Sequence, residues 1–125
     1  MKKVTINDMP KEPTPNTWSP MLINGDQMHL QRILKPGESN SFMSGILHFD
    51  AGSRTKFHKH SGDQILVIVE GTGKVATENE VLTVTEGDIV VIPAGESHWH
   101  GAPDDTSMAH IHVLVAGDET EQTEP

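Results

Sequence analysis

Apolar residues in the middle of the chain fall into runs that are too short for helices. Residues 65–69 (ILVIV) and 88–92 (DIVVI) are largely β-branched runs of the length of buried strands. Residues 81–85 (VLTVT) and 107–115 (SMAHIHVLV) alternate between the two faces of a strand. Turn-forming residues separate these runs, and no window of twelve residues keeps a helical apolar period. The pattern predicts an all-β protein, built as a sandwich or a barrel.

The two ends of the chain differ from this middle part. The first twenty residues hold four of the eight prolines, which predicts an extended arm over residues 1–24. This arm could lie along the domain surface or across a partner subunit. The last nine residues, GDETEQTEP, hold four acids and no strongly apolar side chain, which predicts a solvated, disordered tail over residues 117–125. Residues 25–116 are then the folded domain.

Composition narrows the function classes. A chain of 125 residues is the size of one domain, and its net charge of −9 argues against a nucleic-acid partner. The absence of cysteine excludes a disulfide framework, a thiolate metal site and a cysteine nucleophile. No apolar run approaches the roughly 18 residues that span a bilayer, and the N-terminus lacks the apolar core of a signal peptide. We therefore expect a cytoplasmic protein that does not bind membranes.

Histidine is the residue type that suggests chemistry. Seven of the eight histidines lie between His48 and His112. Six of them form three His-x-His pairs: His58/His60, His98/His100 and His110/His112. Residues i and i+2 of a strand point to the same side, so each pair can place two imidazoles on one face. One such pair is more often surface decoration, but three pairs facing one barrel interior would make a site for Zn, Mn, Fe, Ni or Cu.

Two segments resemble the motifs of the cupin family. Residues 52–71 (GSRTKFHKHSGDQILVIVEG) resemble the first motif, G-x5-H-x-H-x3-E-x6-G. Residues 87–102 (GDIVVIPAGESHWHGA) resemble the second, G-x5-P-x-G-x2-H-x3-N. The resemblance extends over about residues 25–116 and implies a small double-sheet jelly-roll β-barrel with a metal inside. By the same resemblance, the metal ligands are His58, His60, Gln64 and His98.

Two positions depart from the cupin pattern. Gln64 stands where the family usually has glutamate, and Ala102 stands where it usually has asparagine. Three histidines and an amide are neutral, so a bound ion keeps its full charge of about +2 and is a stronger Lewis acid. In the alternative interpretation, Gln64 is only a strand-edge residue and the metal has three protein ligands. Asp63, one residue off the motif, is a rival ligand.

A narrower resemblance points to a reaction. HKHSGDQILVIVEG together with GESHWHGAPDDTSMAHIHV is similar to the manganese-dependent bacterial cupin hydroxynitrile lyases, which split a cyanohydrin into an aldehyde and hydrogen cyanide. It implies one divalent ion, manganese first, with iron, zinc and nickel as alternatives. It also implies His110 as the catalytic residue, with His100 as a second one, and Gly45 and Leu47 as substrate-pocket residues. His112 is expected at the barrel mouth or outside. In the competing interpretation, His100 and His110 are buried histidines that only orient a ligand.

Three function classes remain open at this point. The first is a metal-dependent lyase that acts on a small hydroxy or carbonyl compound by Lewis-acid and general-base chemistry. The second is a cupin dioxygenase of the diketone or quercetin type, and the third is a non-catalytic small-molecule or metal-sensing cupin. A further resemblance is to cupins that ketonise unsaturated uronates. Such an acidic substrate would require an arginine inside the barrel, and the sequence does not clearly place Arg32 or Arg54 there. The proline-rich arm and the resemblance favour a homodimer with exchanged N-terminal segments.

Overall fold

Strands carry most of the regular structure in the computed structural model, which describes residues 1–125. Short 3-10 helices occupy Ile6–Asp8, Asn16–Met21 and Gly25–Gln27, and none of the helices is long and apolar enough to cross a membrane. The strands, in chain order, are β1 Glu12–Pro13, β2 Leu22–Ile23, β3 Met28–Arg32, β4 Phe42–Phe49, β5 Ser53–Thr55, β6 His58–His60, β7 Gln64–Ala76, β8 Val81–Thr85, β9 Ile89–Ile92, β10 Trp99–Ala102, β11 Met108–Val115 and β12 Thr120–Gln122. This confirms the all-β prediction.

The long strand β7 connects the two halves of the barrel. Its first half pairs with β9 and β11, and its second half pairs with β8 and β10. Gly71 lies where the strand turns from one set of partners to the other, with φ at +73°. A Cβ at this position would collide with the carbonyl oxygen of Ser107, so glycine is required for the sheet to curl. The antiparallel sheet closes in this way into the predicted jelly-roll architecture.

A single apolar cluster fills the part of the barrel that supports the histidines. Its ten buried members come from both halves: Met28, Leu47, Phe49, Leu66, Ile68, Val75, Val84, Ile92, Ala102 and Met108. The Phe49 ring lies edge-on to His100, with centroids 5.8 Å apart, and 5.3 Å from His110. Because protein cores are close-packed, these contacts limit how far either imidazole can move.

The N-terminal arm packs on its own barrel. Strand β1 pairs with β3, and β2 pairs with β5. The buried Gln31 amide of β3 donates hydrogen bonds to the carbonyl oxygens of Ile6 and Met9, at 2.8 and 2.9 Å. The arm therefore lies along the domain surface in this chain.

The prediction of a disordered tail over residues 117–125 is wrong. Strand β12 pairs with β6, the strand that carries His58 and His60. Further along, Glu124 accepts a hydrogen bond from the Arg54 guanidinium at 3.2 Å. Most acidic side chains of this C-terminal segment are solvated, as the composition predicts. Its backbone nevertheless pairs with β6 and covers the open edge of that strand. Composition alone does not reveal such an edge.

Candidate metal centre

Three histidines of the predicted ligand set converge inside the barrel. His58 and His60 both point inward from β6, as the alternation of a strand requires. His98 reaches the same point because its backbone exchanges two hydrogen bonds of 2.9 Å with that of His58. The three side chains are buried, and their ligating atoms lie within 4.8 Å of one another.

The Nδ1 atoms of these three rings are all hydrogen-bonded, which leaves Nε2 of each ring as its candidate ligating atom. Nδ1 of His58 donates to the carbonyl oxygen of Lys56 at 2.7 Å, and Nδ1 of His98 donates to that of Glu96 at 2.8 Å. Nδ1 of His60 lies 2.8 Å from a carboxylate oxygen of Asp118. A neutral imidazole carries one proton, so a proton held at Nδ1 leaves Nε2 with a lone pair. All three rings are thus prepared to ligate through the same atom type.

The Gln64 amide lies beside the three rings. Gln64 is buried, and its Oε1 is 3.0 Å from Nε2 of His98. A contact of this length suits two neighbouring ligands of one cation, and it also suits an ordinary hydrogen bond if the amide nitrogen of Gln64 faces the ring. Asp63 is exposed and accepts a hydrogen bond from the Ala94 backbone N–H at 2.9 Å. The rival ligand Asp63 is therefore committed to a surface turn.

The donor set fits a divalent cation. Nε2 of His60 is buried without any hydrogen-bond partner, a costly arrangement unless the atom has a ligand to meet. Burial, followed by the proximity of His98, lowers the pKa of His58 to about 3, and burial lowers the pKa of His98 to about 4. Both rings are therefore neutral at pH 7. Three imidazole nitrogens and an amide oxygen are suitable ligands for several first-row divalent metals.

His100 and His110 form a hydrogen-bonded pair next to this site. Nε2 of His110 is 2.9 Å from Nδ1 of His100, and both rings are buried. Burial, followed by the proximity of His110, holds the pKa of His100 well below its usual range. Burial, followed by the proximity of His112, lowers the pKa of His110 to about 3. His100 lines the cavity described below, whereas His110 lies behind it and does not.

His112 faces the barrel interior, where it is half-buried and lines the cavity described below, so of the two expected positions the structure excludes the outside of the barrel. A register shift between Ala109 and His110 in the pairing of β11 with β7 precedes it. Beyond this irregularity the alternation of β11 directs His110 and His112 to the interior. Burial, followed by the proximity of His60, lowers the pKa of His112 to about 4. All three His-x-His pairs therefore face the interior.

A cavity of about 690 Å³ opens from the ligand cluster, a size typical of small-molecule sites. Gly45 and Leu47, the two predicted pocket residues, both line it. A Cβ on Gly45 would lie 3.2 Å from Cε1 of His112 and 2.9 Å from the Gln31 carbonyl oxygen, so even alanine would crowd this wall. The apolar lining consists of Trp18, Met21, Leu22, Leu30, Leu34, Phe42, Met43, Leu47, Leu114 and Ala116.

Sequence reasoning missed several residues of this cavity. Trp18 and Met21 come from the N-terminal arm, which the sequence described only as extended. Arg32 and Lys35 add two positive charges to the lining, so the arginine that seemed unplaced does reach the cavity. Arg32 also lies 3.5 Å from a carboxylate oxygen of Glu12. The only sequence signal for the placement of Arg32 was the alternation of apolar and polar residues over 28–32, which is too short to indicate which face is interior.

Two curated proteins are similar in sequence to parts of this chain. An (R)-mandelonitrile lyase of Granulicella tundricola is 38% identical over 66 residues, which cover 52% of this chain and 50% of that protein. A 5-nitrosalicylic acid 1,2-dioxygenase of a Bradyrhizobium species is 29% identical over 113 residues, which cover 88% of this chain and 55% of that protein. The chain thus spans about half the length of these two relatives.

A solved structure and a family model indicate the same fold for this chain. The polyketide cyclase RemF of Streptomyces resistomycificus superposes over 100% of this chain and 87% of its own, with a TM-score of 0.84 at 15% identity. At that identity the likeness concerns the fold alone. Residues 45–115 match the model of the cupin domain, which includes all four predicted ligands and both histidines of the buried pair. The chain therefore belongs to the cupin family.

Proposed function

We propose that this protein is a metal-dependent enzyme that cleaves a small hydroxy compound by general acid–base chemistry, most specifically a cyanohydrin. The observation that carries the proposal is that three members of the neutral ligand set, His58, His60 and Gln64, line one largely apolar cavity together with the neutral His100. The similarity to an (R)-mandelonitrile lyase supports this choice of substrate. His58, His60, Gln64 and His98 would hold the ion, which when bound supplies Lewis-acid polarisation of an oxygen ligand.

His100 is the residue placed to accept a proton from the substrate. Its Nδ1 is engaged with His110, so Nε2 is the nitrogen left to face the cavity. When Nδ1 carries the proton and donates to His110, Nε2 of His100 is a bare base at pH 7. The cyanohydrin hydroxyl gives its proton to this atom, and the C–C bond to the nitrile breaks with its electron pair leaving on cyanide. His100 then returns the proton to cyanide, which yields the aldehyde and hydrogen cyanide.

His110 acts through His100 in this scheme. When Nε2 of His110 accepts the 2.9 Å hydrogen bond, the proton of His100 stays on Nδ1, and Phe49 restricts both rings. This assignment differs from the sequence-based hypothesis, which gave His110 the leading catalytic role and His100 the second. His110 becomes the positioning residue because the cavity is lined by His100.

Substitution of His100 should separate catalysis from metal binding. We expect His100→Ala to lower kcat for mandelonitrile cleavage by about 10²- to 10⁴-fold, the usual contribution of a general base. His110→Ala should lower kcat by a smaller factor, and both variants should keep the metal content of the wild type. His29→Ala, on strand β3, is the matched histidine control. Wild-type kcat in a metal-loaded His100→Ala variant would contradict the assigned base.

A dioxygenase is the second candidate, because the cavity also contains Arg32 and Lys35. The charge of Lys35, together with that of Arg32 beyond what its ion pair with Glu12 balances, favours an anionic substrate, and the 5-nitrosalicylic acid 1,2-dioxygenase is named for an aromatic acid. Oxygen uptake by the iron-loaded protein with a carboxylated aromatic compound would favour this alternative. Cyanide release from mandelonitrile by the manganese-loaded protein, without oxygen uptake, would favour the lyase.

We also propose that two copies associate through the outer face of the sheet formed by β9, β7 and β11. Paired positions place six uncharged aliphatic side chains on this face: Ile65, Val67, Ile89, Val91, Ile111 and Val113. Ile89 and Val91 are 64% and 65% exposed. Because the chain carries a net charge of −9, an uncharged face is where a second copy can approach with little repulsion.

Oligomeric state tests this association directly. Light scattering after size exclusion should give the mass of a dimer for the wild type and of a monomer for Val91→Lys. Val81→Lys, an equally aliphatic and exposed position on β8 outside the face, should remain dimeric. A monomeric wild-type chain at micromolar concentration would overturn the proposal.

A further inference from the structure

Asp118 is the one carboxylate that touches a residue of the ligand set. One of its oxygens lies 2.8 Å from Nδ1 of His60, and its side chain is completely buried. The corresponding Nδ1 atoms of His58 and His98 donate to neutral backbone carbonyls instead. Asp118 belongs to the acidic C-terminal segment, which neither cupin motif covers. Nothing in the proposed reaction uses this residue.

The segment around Asp118 is built to hold the carboxylate in place. Gly117, with φ at +82°, reverses the chain after β11, and β12 then pairs Thr120 with His60. The second carboxylate oxygen accepts hydrogen bonds from the Gly62 backbone N–H at 3.0 Å and the Ser61 hydroxyl at 3.3 Å. Both carboxylate oxygens are therefore engaged, which leaves Asp118 with one orientation.

We propose that Asp118 is the positioning residue that sets His60 as a metal ligand and places a negative charge next to the otherwise neutral ligand set. A buried carboxylate on Nδ1 keeps the proton there and makes Nε2 a more basic ligand. Gln64 contributes no charge, so Asp118 supplies through one hydrogen bond part of the charge that a carboxylate ligand would supply directly. The C-terminal segment thereby becomes part of the metal centre.

This inference rests on the metal-binding part of the proposed function and is independent of the reaction. A purely structural role for Asp118, as an anchor of the turn at Ser61 and Gly62, would affect folding but neither the tautomer of His60 nor the metal affinity of folded protein. Two measurements therefore separate the roles: the protonated nitrogen of His60 without metal, and the dissociation constant for Mn²⁺.

The first measurement uses nitrogen-15 NMR of the full-length chain in the presence of a chelator. We expect His60 of the wild type to carry its proton on Nδ1, and His60 of Asp118→Ala to shift toward the Nε2 tautomer. A wild-type His60 protonated on Nε2 would overturn the proposal even if every variant failed to fold. This result does not depend on whether the protein is an enzyme.

The second measurement is competition for Mn²⁺ against a fluorescent chelator. We expect Asp118→Ala and the isosteric Asp118→Asn to bind Mn²⁺ at least about tenfold more weakly than the wild type. Glu121→Gln is the matched control, because it removes one negative charge from the same C-terminal segment while its side chain contacts Lys59 and no ligand. We expect its affinity to stay within about twofold of the wild type. Folded Asp118 variants with wild-type affinity would overturn the proposal, whereas a wild type without any Mn²⁺ affinity would instead refute the proposed function.

Discussion

Protein purified without a tag or added metal should contain about one equivalent of a divalent metal, and His58→Ala should contain none. His58 is one of three imidazoles whose ligating atoms lie within 4.8 Å of one another. Its loss leaves two imidazoles and a weakly binding amide, so the affinity should fall by more than about 100-fold, beyond what residues behind the ligands contribute. Elemental analysis of dialysed protein measures this, and activity should disappear with the metal.

A histidine outside the site controls for the loss of an imidazole. His29→Ala on β3 removes one from a position that does not line the cavity, and its metal content should match the wild type. Metal retained by His58→Ala at full stoichiometry would contradict the predicted ligand set. The identity of the metal then directs the assay, because manganese leads to cyanide release from cyanohydrins and iron leads to oxygen uptake.

The metal-free protein should lose stability steeply as the pH falls below about 6.5, the ordinary pKa of histidine. Burial lowers the pKa of His110 to about 3 and that of His112 to about 4. Between pH 6.5 and these values the unfolded chain binds protons that the folded chain does not, so the free energy of unfolding decreases with decreasing pH. Each of these two histidines contributes a slope of up to about 1.4 kcal/mol per pH unit.

Denaturant unfolding in the presence of a chelator at pH 8, 7, 6 and 5 measures this slope. At pH 8, well above the ordinary pKa of about 6.5, the two histidines are neutral in both states and contribute almost no pH dependence. Small domains are stabilised by only about 5–15 kcal/mol, so the slope of about 2.7 kcal/mol per pH unit from these two histidines should unfold much of the protein above pH 4. The lowered pKa values of His58, His98 and His100 act in the same direction in the metal-free protein. His110→Gln should reduce the slope by up to about 1.4 kcal/mol per pH unit, the contribution of one proton. A free energy of unfolding that stays constant from pH 7.5 to pH 5 would contradict the lowered values.

The buried histidine pair shows how far sequence reasoning reaches. The spacing of His98 and His100 predicted that both face one way, and the structure confirms that both point into the barrel. The spacing could not decide whether His100 or His110 meets the cavity, because both faces of the last strand carry apolar residues. That decision depends on the pairing of β11 with β7 and on the packing of Phe49.

The C-terminal segment shows where composition is a poor guide. Four acids in nine residues predicted disorder, yet β12 pairs with the ligand strand and Asp118 contacts a ligand from 58 residues away. Composition records the average polarity of a segment and carries no information on an unpaired strand edge elsewhere. A single buried aspartate among solvated acids has no local signature.

By itself, the sequence determined the all-β class, the family and the convergence of His58, His60, Gln64 and His98. The all-β class follows from local rules, namely the two-residue period of strands and the turns made at glycines such as Gly71, whereas the family and the ligand set are implied by the resemblance of two segments to the cupin motifs. Only the tertiary structure decided that His100 lines the cavity, that Arg32 reaches it and that Asp118 supports His60. These placements arise where segments distant in sequence pack side by side, and no local pattern encodes such contacts.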